Sequence, residues 1–118
     1  MSENYIPVNV LNDWLKYFPM EKIHIINSDV FILEPWTELA KVEHFLNLNH
    51  EINEDYFYFS KTKGFYCMTK PEKHCMAGSK GHNLTGVATE GQLEKLRNFF
   101  IPYNKELYNL LNVNFGWK

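Results

Sequence analysis

Apolar positions along the chain fall into a few regular stretches. Val8, Leu11, Trp14, Leu15 and Phe18 recur at helical spacing and stop before Pro19, which predicts an amphipathic helix over residues 8–17. Lys22-Ile23-His24-Ile25-Ile26-Asn27 is a short β-branched run and reads as a buried strand. Pro35 then opens a second helix, with Trp36, Leu39, Val42, Phe45 and Leu46 on one face. Helix, strand and helix at these lengths point to an α/β layered architecture. Asp55-Tyr56-Phe57-Tyr58-Phe59-Ser60 and Gly64-Phe65-Tyr66-Cys67-Met68 are aromatic, β-prone runs expected to form an irregular strand pair. A final helix is expected from Thr89, because Thr89-Glu90-Gly91-Gln92 has the form of a capping box. Its stripe is Leu93, Leu96, Phe99, Phe100, Tyr103, Leu107, Leu110 and Leu111, and Pro102 within it predicts a kink or a break.

Composition adds limits to this outline. The 118 residues are 45% apolar and 22% charged, which is ordinary globular usage and enough for one domain with a core. No internal repeat or linker interrupts them. No apolar run approaches the roughly 20 residues needed to span a membrane. Met1-Ser2-Glu3-Asn4-Tyr5 lacks a basic and an apolar region, so a secretory signal is not expected there.

Charge is unevenly spread. Residues 1–60 carry three lysines against ten acidic side chains, a balance of −7, whereas residues 61–118 carry nine basic side chains against four glutamates, a balance of +5. Such a division argues against a general nucleic-acid binder and for one localised anion site. Lys61, Lys63, Lys70, Lys73 and Lys80, with His74 and His82, crowd into residues 61–82 beside a single Glu72. A solvated charged hairpin is the plainer reading of the same residues.

The chemistry legible at this level is limited. Gly78-Ser79-Lys80-Gly81 places two glycines, a hydroxyl and an ammonium within four residues, a combination suited to an oxyanion, although a surface turn has the same composition. Neither G-x-x-x-x-G-K-[ST] nor G-x-G-x-x-G is present. Cys67 and Cys75 are compatible with free thiols, a local disulfide of about 2.5 kcal/mol by loop entropy, or half of a zinc site with His74 and His82. His24, His44 and His50 are expected to be structural or solvated. No pair of carboxylates is placed by spacing for acid–base work.

One combination of residues resembles a known family. Lys61-Thr62-Lys63-Gly64-Phe65-Tyr66-Cys67, the spaced Cys75 and Ser79-Lys80-Gly81 are similar to the C-terminal third of heparan sulfate glucosamine 3-O-sulfotransferases, most of all the type-1 branch. Trp14-Leu15-Lys16-Tyr17-Phe18-Pro19, Ile23-His24-Ile25, Glu34-Pro35-Trp36 and Lys41-Val42-Glu43-His44-Phe45-Leu46 extend the likeness upstream. Pro102-Tyr103-Asn104-Lys105 and Phe115-Gly116-Trp117 extend it downstream, so that it runs from about Tyr5 onward. The resemblance implies an α/β, P-loop-kinase-like sulfotransferase domain, of which residues 1–118 are a C-terminal part: helix–strand–helix, a disulfide hairpin and a kinked terminal helix. It implies Golgi enzymes that move a sulfuryl group from 3′-phosphoadenosine 5′-phosphosulfate (PAPS) to a glucosamine 3-hydroxyl of heparan sulfate. By the same resemblance Tyr66 contacts the donor nucleotide and Cys67 and Cys75 are bridged. The loop that in the family reads K-G-R-x-H, here Lys80, Gly81, His82, Asn83 and Leu84, holds the nucleotide's 3′-phosphate region. No metal and no nucleic acid are implied.

The chain departs from the family pattern at two of these positions. His82 stands for the family's arginine and Leu84 for its histidine, exchanging a permanent charge for an imidazole that is mostly neutral at pH 7. Asn83-Leu84-Thr85 is a glycosylation sequon in the same loop. The family's Gly-rich phosphosulfate loop, its arginine–serine pair and its catalytic glutamate lie upstream of the similar region, and no residue here matches them. No catalytic residue is therefore assigned, and a fragment inactive alone is expected. The alternative is a diverged, non-catalytic remnant that binds nucleotide or sulfated glycan weakly, or packs with a partner.

Overall fold

The computed structural model describes residues 6–77 and 88–117. The chain divides into two compact units, Met1–Ile23 with Thr85–Lys118, and His24–Leu84.

In the first unit, helix α1 (Pro7–Leu15) begins with proline in its first turn, where the missing N–H is no loss. It starts one residue before the expected 8–17 and ends two residues earlier, its last turn closed by Phe18 N–H on the Trp14 carbonyl at 2.9 Å. Val8 and Leu11 on its inner face join Ile6 and Leu107 as the buried core, with Leu15, Met20, Ile23, Phe100, Tyr103, Leu110 and Leu111 packed around them. Leu107 belongs to α4, the helix Glu90–Leu111. Its capping box is complete: Thr89 N–H donates to Gln92 Oε1 at 2.8 Å, and Gln92 N–H to Thr89 Oγ1 at 3.4 Å. Asn112, at φ 53°, ends the helix in the left-handed conformation that asparagine tolerates. The tail then folds onto α4, Phe115 stacking on Trp117 at 4.9 Å and Trp117 N–H donating to the Tyr108 hydroxyl at 3.1 Å.

Of the kink or break expected at Pro102, the break does not occur. α4 runs through it as one helix of 22 residues. Proline removes a single ladder bond, and the contacts of Phe100, Tyr103 and Leu107 with the α1 core span the site and hold both halves.

In the second unit, Asn27 caps α2 (Ser28–Leu33) by accepting from the Asp29 and Val30 amides. Helix α3 (Pro35–Phe45) follows, again with proline at its start. A 3₁₀ turn, Glu54–Tyr56, leads into β1 (Phe57–Ser60), which pairs antiparallel with β2 (Phe65–Met68). Phe59 lies opposite Tyr66 and Tyr58 opposite Cys67. Gly64, at φ +75°, makes the turn between them and donates to the Ser60 carbonyl at 2.7 Å. The expected strand pair is thus present, and with the helices it makes an α/β arrangement.

Two expectations fail here. Residues 22–27 form no strand: Met20–Lys22 is a 3₁₀ turn, and the residues after it are extended without a partner among the described residues. Extended backbone becomes a strand only beside another one, and β-branched composition does not supply it. On α3, Phe45 and Leu46 of the expected apolar face are exposed, while Glu38 and Glu43 are buried.

Candidate functional site

The structural centre of the second unit's site is the end of β2. Cys67 and Cys75 form a disulfide, their Cα atoms 4.8 Å apart. This resolves the three readings left open by spacing and engages both sulfurs that a zinc site would need. The loop so closed is tied further. Met68 and His74 exchange backbone hydrogen bonds at 2.9 and 3.0 Å, and Thr69 N–H donates to the Tyr56 carbonyl at 2.7 Å. Lys70 and Lys73 of the loop stand over the rings of Tyr56 and Tyr58, each 4.8 Å from the centroid. Part of the basic hairpin is therefore packed against aromatic faces rather than free in solvent.

Tyr66, beside the disulfide, is held edge-on by two rings. Trp36 of α3 meets it at 5.2 Å and 88°, and Phe59 of β1 at 5.4 Å and 75°. Trp36 also touches Phe57 at 6.1 Å. Next to this cluster lies a cavity of about 480 Å³ walled by α2, α3 and β2, with Ile32, Leu39, Phe57, Tyr66, His74 and Met76 among its lining residues. That volume is in the range of small-molecule pockets, about 300–1,000 Å³. Its lining residues are mostly apolar, with His74 and Tyr66 among the few that carry polar side-chain atoms, which suits a planar aromatic group better than a bare anion.

Two buried carboxylates on α3 shape the frame around it. Glu38, 1% exposed, accepts from the Asn27 amide at 3.0 Å and from Lys41 Nζ at 2.6 Å. Burial by itself pushes this carboxyl up. The hydrogen bonds from Lys41 and Asn27, with the charges of Lys41 and His24, outweigh it and hold the group below its ordinary value. Glu43 is held low as well, chiefly by the Ile52 amide; burial opposes, and the Glu51 amide and His50 assist. The distances are 3.0 Å from Ile52, 3.1 Å from Glu51 and 2.8 Å to His50 Nδ1. Both carboxylates are thus occupied in fixing loops, and neither lines the cavity. The histidines behave as expected: His24 packs on Phe45 at 5.2 Å, His50 holds Glu43, and His44 is exposed.

Of the sequence-predicted site residues, Tyr66, Cys67 and Cys75 are brought together at one end of the hairpin. Lys80, Gly81, His82, Asn83 and Leu84 lie outside the described residues. Sequence reasoning missed the partnership of Trp36 and Phe59 with Tyr66. Trp36 was readable only as one member of a helical apolar face, and nothing in its spacing marks a contact with β2.

Comparison with known proteins agrees with the resemblance. A family model described as a sulfotransferase domain matches residues 8–109. Mouse heparan sulfate glucosamine 3-O-sulfotransferase 5 is 41% identical over 109 residues, which is 91% of this chain and 31% of the relative. Its human counterpart is 40% identical over the same shares. Mouse heparan sulfate glucosamine 3-O-sulfotransferase 3B1 is 35% identical over 111 residues, 91% of this chain and 28% of the relative. The chain spans less than a third of the length of these relatives. With 102 of its residues inside the matched span, 8–109, the chain belongs to the sulfotransferase domain family.

Proposed function

We propose that residues 1–118 form a single C-terminal part of a PAPS-dependent, P-loop-kinase-like sulfotransferase domain that acts on heparan sulfate in the Golgi lumen. Within it, this chain's task is to bind the donor nucleotide. The observation that carries this reading is the ring of Tyr66, clamped by Trp36 and Phe59 beside the Cys67–Cys75 disulfide, at the wall of a largely apolar cavity. Its residues suit an adenine ring, and no metal is required of them.

When bound, the donor supplies an activated sulfuryl group for transfer to the glucosamine 3-hydroxyl. This chain's residues bind and orient. Tyr66 offers an aromatic face to the base, held at fixed orientation by its two neighbours. The disulfide fixes the point from which the loop carrying Lys80, Gly81, His82, Asn83 and Leu84 departs. Lys80 brings a positive charge to the 3′-phosphate region, and the glycine lets backbone N–H groups approach it. His82 adds a charge only when protonated. Removing the hydroxyl proton needs a base, and none of this chain's residues matches the family's glutamate.

The test is transfer of labelled sulfate from PAPS to heparan sulfate. The chain alone is expected to give none. A chimera in which it replaces the matching part of mouse heparan sulfate glucosamine 3-O-sulfotransferase 5 is expected to transfer. Transfer by the chain alone, or a folded chimera that neither transfers nor binds adenosine 3′,5′-bisphosphate, contradicts the reading. His82 and Leu84 at the family's arginine and histidine positions favour a second reading, a diverged nucleotide-binding remnant. A folded chimera that binds nucleotide but does not transfer supports that one.

A further inference from the structure

Helix α4 has two faces of different composition. Phe100, Tyr103, Leu107 and Leu110 lie in the α1 core. Glu94, Asn98, Ile101, Lys105 and Tyr108 follow one another at steps of three or four residues and form the other face. The C-terminal tail comes back to that second face. Asn112 (φ 53°) and Gly116 (φ +72°) turn it, Asn114 Oδ1 accepts from the Gly116 amide at 2.8 Å, and Trp117 N–H donates to the Tyr108 hydroxyl at 3.1 Å. A hollow of about 560 Å³ lies here, with Asn98, Asn104, Lys105, Tyr108, Asn114 and Trp117 in its lining. A second hollow of about 460 Å³ shares Lys105, Tyr108 and Asn114 with it and adds Asn109. Both volumes are those of small-molecule sites.

The lining has the chemistry of a polyol site. The side chains of Asn98, Asn104 and Asn109 make no hydrogen bond among the described residues. Asparagine is a poor helix former, so three unbonded carboxamides on one stretch of helix are not accounted for by helix stability. Each offers two donors and an acceptor. The Tyr108 oxygen accepts from Trp117, which leaves its own O–H to donate. Trp117 stacks on Phe115 at 4.9 Å and is still 39% exposed, so it offers a fixed apolar ring. Charge is balanced: Arg97 is paired with Glu90 at 2.5 Å, and Glu94 offsets Lys105 within the lining. Amides and aromatic rings without net charge suit hydroxyl groups and the apolar faces of sugar rings. A sulfated or uronate-bearing chain would instead call for a surplus of cations.

We infer that the hollow between α4 and the C-terminal tail binds a neutral oligosaccharide, with a pyranose face on Trp117 and hydroxyls on Asn98, Asn104 and Asn114. The inference goes beyond the donor-binding reading, shares no residue with the cavity beside Tyr66 and does not rest on that reading.

The probes are chitotriose and mannotriose, titrated into the full chain and followed by NMR at the Trp117 indole and the asparagine side-chain amides. At least one of the two is expected to shift these signals, and the tighter binder identifies the sugar. Trp117→Ala is expected to weaken binding about tenfold or more. Because that change also frees the tail, Asn98→Ala is the companion variant. It is expected to weaken binding about threefold or more while leaving the unfolding midpoint unchanged or raised, alanine being the better helix former. Lys105→Gln and added salt should each change the affinity by less than about twofold, since the ligand is neutral. Failure of both sugars to shift these signals overturns the inference, as does an unaffected Asn98→Ala. A hyaluronan tetrasaccharide that binds here more tightly than either neutral sugar overturns it in favour of an acidic ligand. A polyproline peptide that shifts the same signals more strongly than either sugar overturns it in favour of a peptide.

Discussion

Replacing Glu38 should destabilise the unit that carries Tyr66, by an amount that follows from its contacts. The side chain is 1% exposed, and its two oxygens take the Asn27 amide at 3.0 Å and Lys41 Nζ at 2.6 Å. Glu38→Ala leaves the part-buried Asn27 N–H without its acceptor, which costs about 1–3 kcal/mol. Loss of the Lys41 pair adds about 0–1 kcal/mol, because the lysine side chain is more than half exposed. The total is about 1–4 kcal/mol, measured by urea unfolding followed by circular dichroism. Glu38→Gln keeps an acceptor for Asn27 and should cost about 1 kcal/mol. The pH dependence has a definite sign. A carboxyl held below its ordinary value contributes stability above about pH 4.3, the unfolded value, and loses it as pH falls through the lower folded value. The gap between wild type and Glu38→Gln should therefore close in that acid range. A wild-type stability at neutral pH within about 0.5 kcal/mol of Glu38→Ala would refute the account, as would a gap that widens in acid.

Three further outcomes are expected. Replacing both cysteines by serine should cost about 2.5 kcal/mol of unfolding free energy by loop entropy, read from the same urea curves. Thr89→Ala should cost about 1 kcal/mol and fray the start of α4, seen as faster amide exchange at Gln92. Glu43→Gln should speed exchange at the Glu51 and Ile52 amides and make that exchange less dependent on acid, since the carboxylate they donate to is held low.

Elements whose cause is local were legible in the sequence. The Thr89 box, proline at the head of α3 and the paired aromatic runs each carry their own signal, and each has its counterpart in the structure. What failed depended on distant contacts. Residues 22–27 have strand composition and extended dihedrals, but pairing is a property of two segments. Pro102 has a breaker's chemistry, but packing against α1 decides the outcome. Helix α2 was missed although Asn27 and Asp29 have the cap and first-turn chemistry of a helix start, because six residues are too few to establish a period. Glu38 and Glu43 were unreadable as buried groups, since glutamate is ordinarily exposed and their partners are backbone amides 8 to 11 residues away. At the site, spacing left the cysteine chemistry open, and only the resemblance named the bridge. The packing of Trp36 on Tyr66 joins α3 to β2 across 30 positions of sequence, a distance that no periodicity reports.

Donor-nucleotide binding is the claim on which the rest depends, and calorimetric titration with adenosine 3′,5′-bisphosphate tests it most directly. Wild type, Tyr66→Ala, His82→Ala and His82→Arg are compared at about pH 5.5 and about pH 7.5, either side of the ordinary imidazole value near 6.5. Protonated His82 attracts the phosphate, so wild type should bind weakly at the higher pH and more tightly at the lower one. His82→Arg should gain about 1–2 kcal/mol at the higher pH by restoring one charge-assisted bond. His82→Ala should lose most of the pH dependence, and Tyr66→Ala should weaken binding at both pH values. No binding by wild type at either pH, or an arginine variant and a Tyr66→Ala variant both indistinguishable from it, would contradict the account.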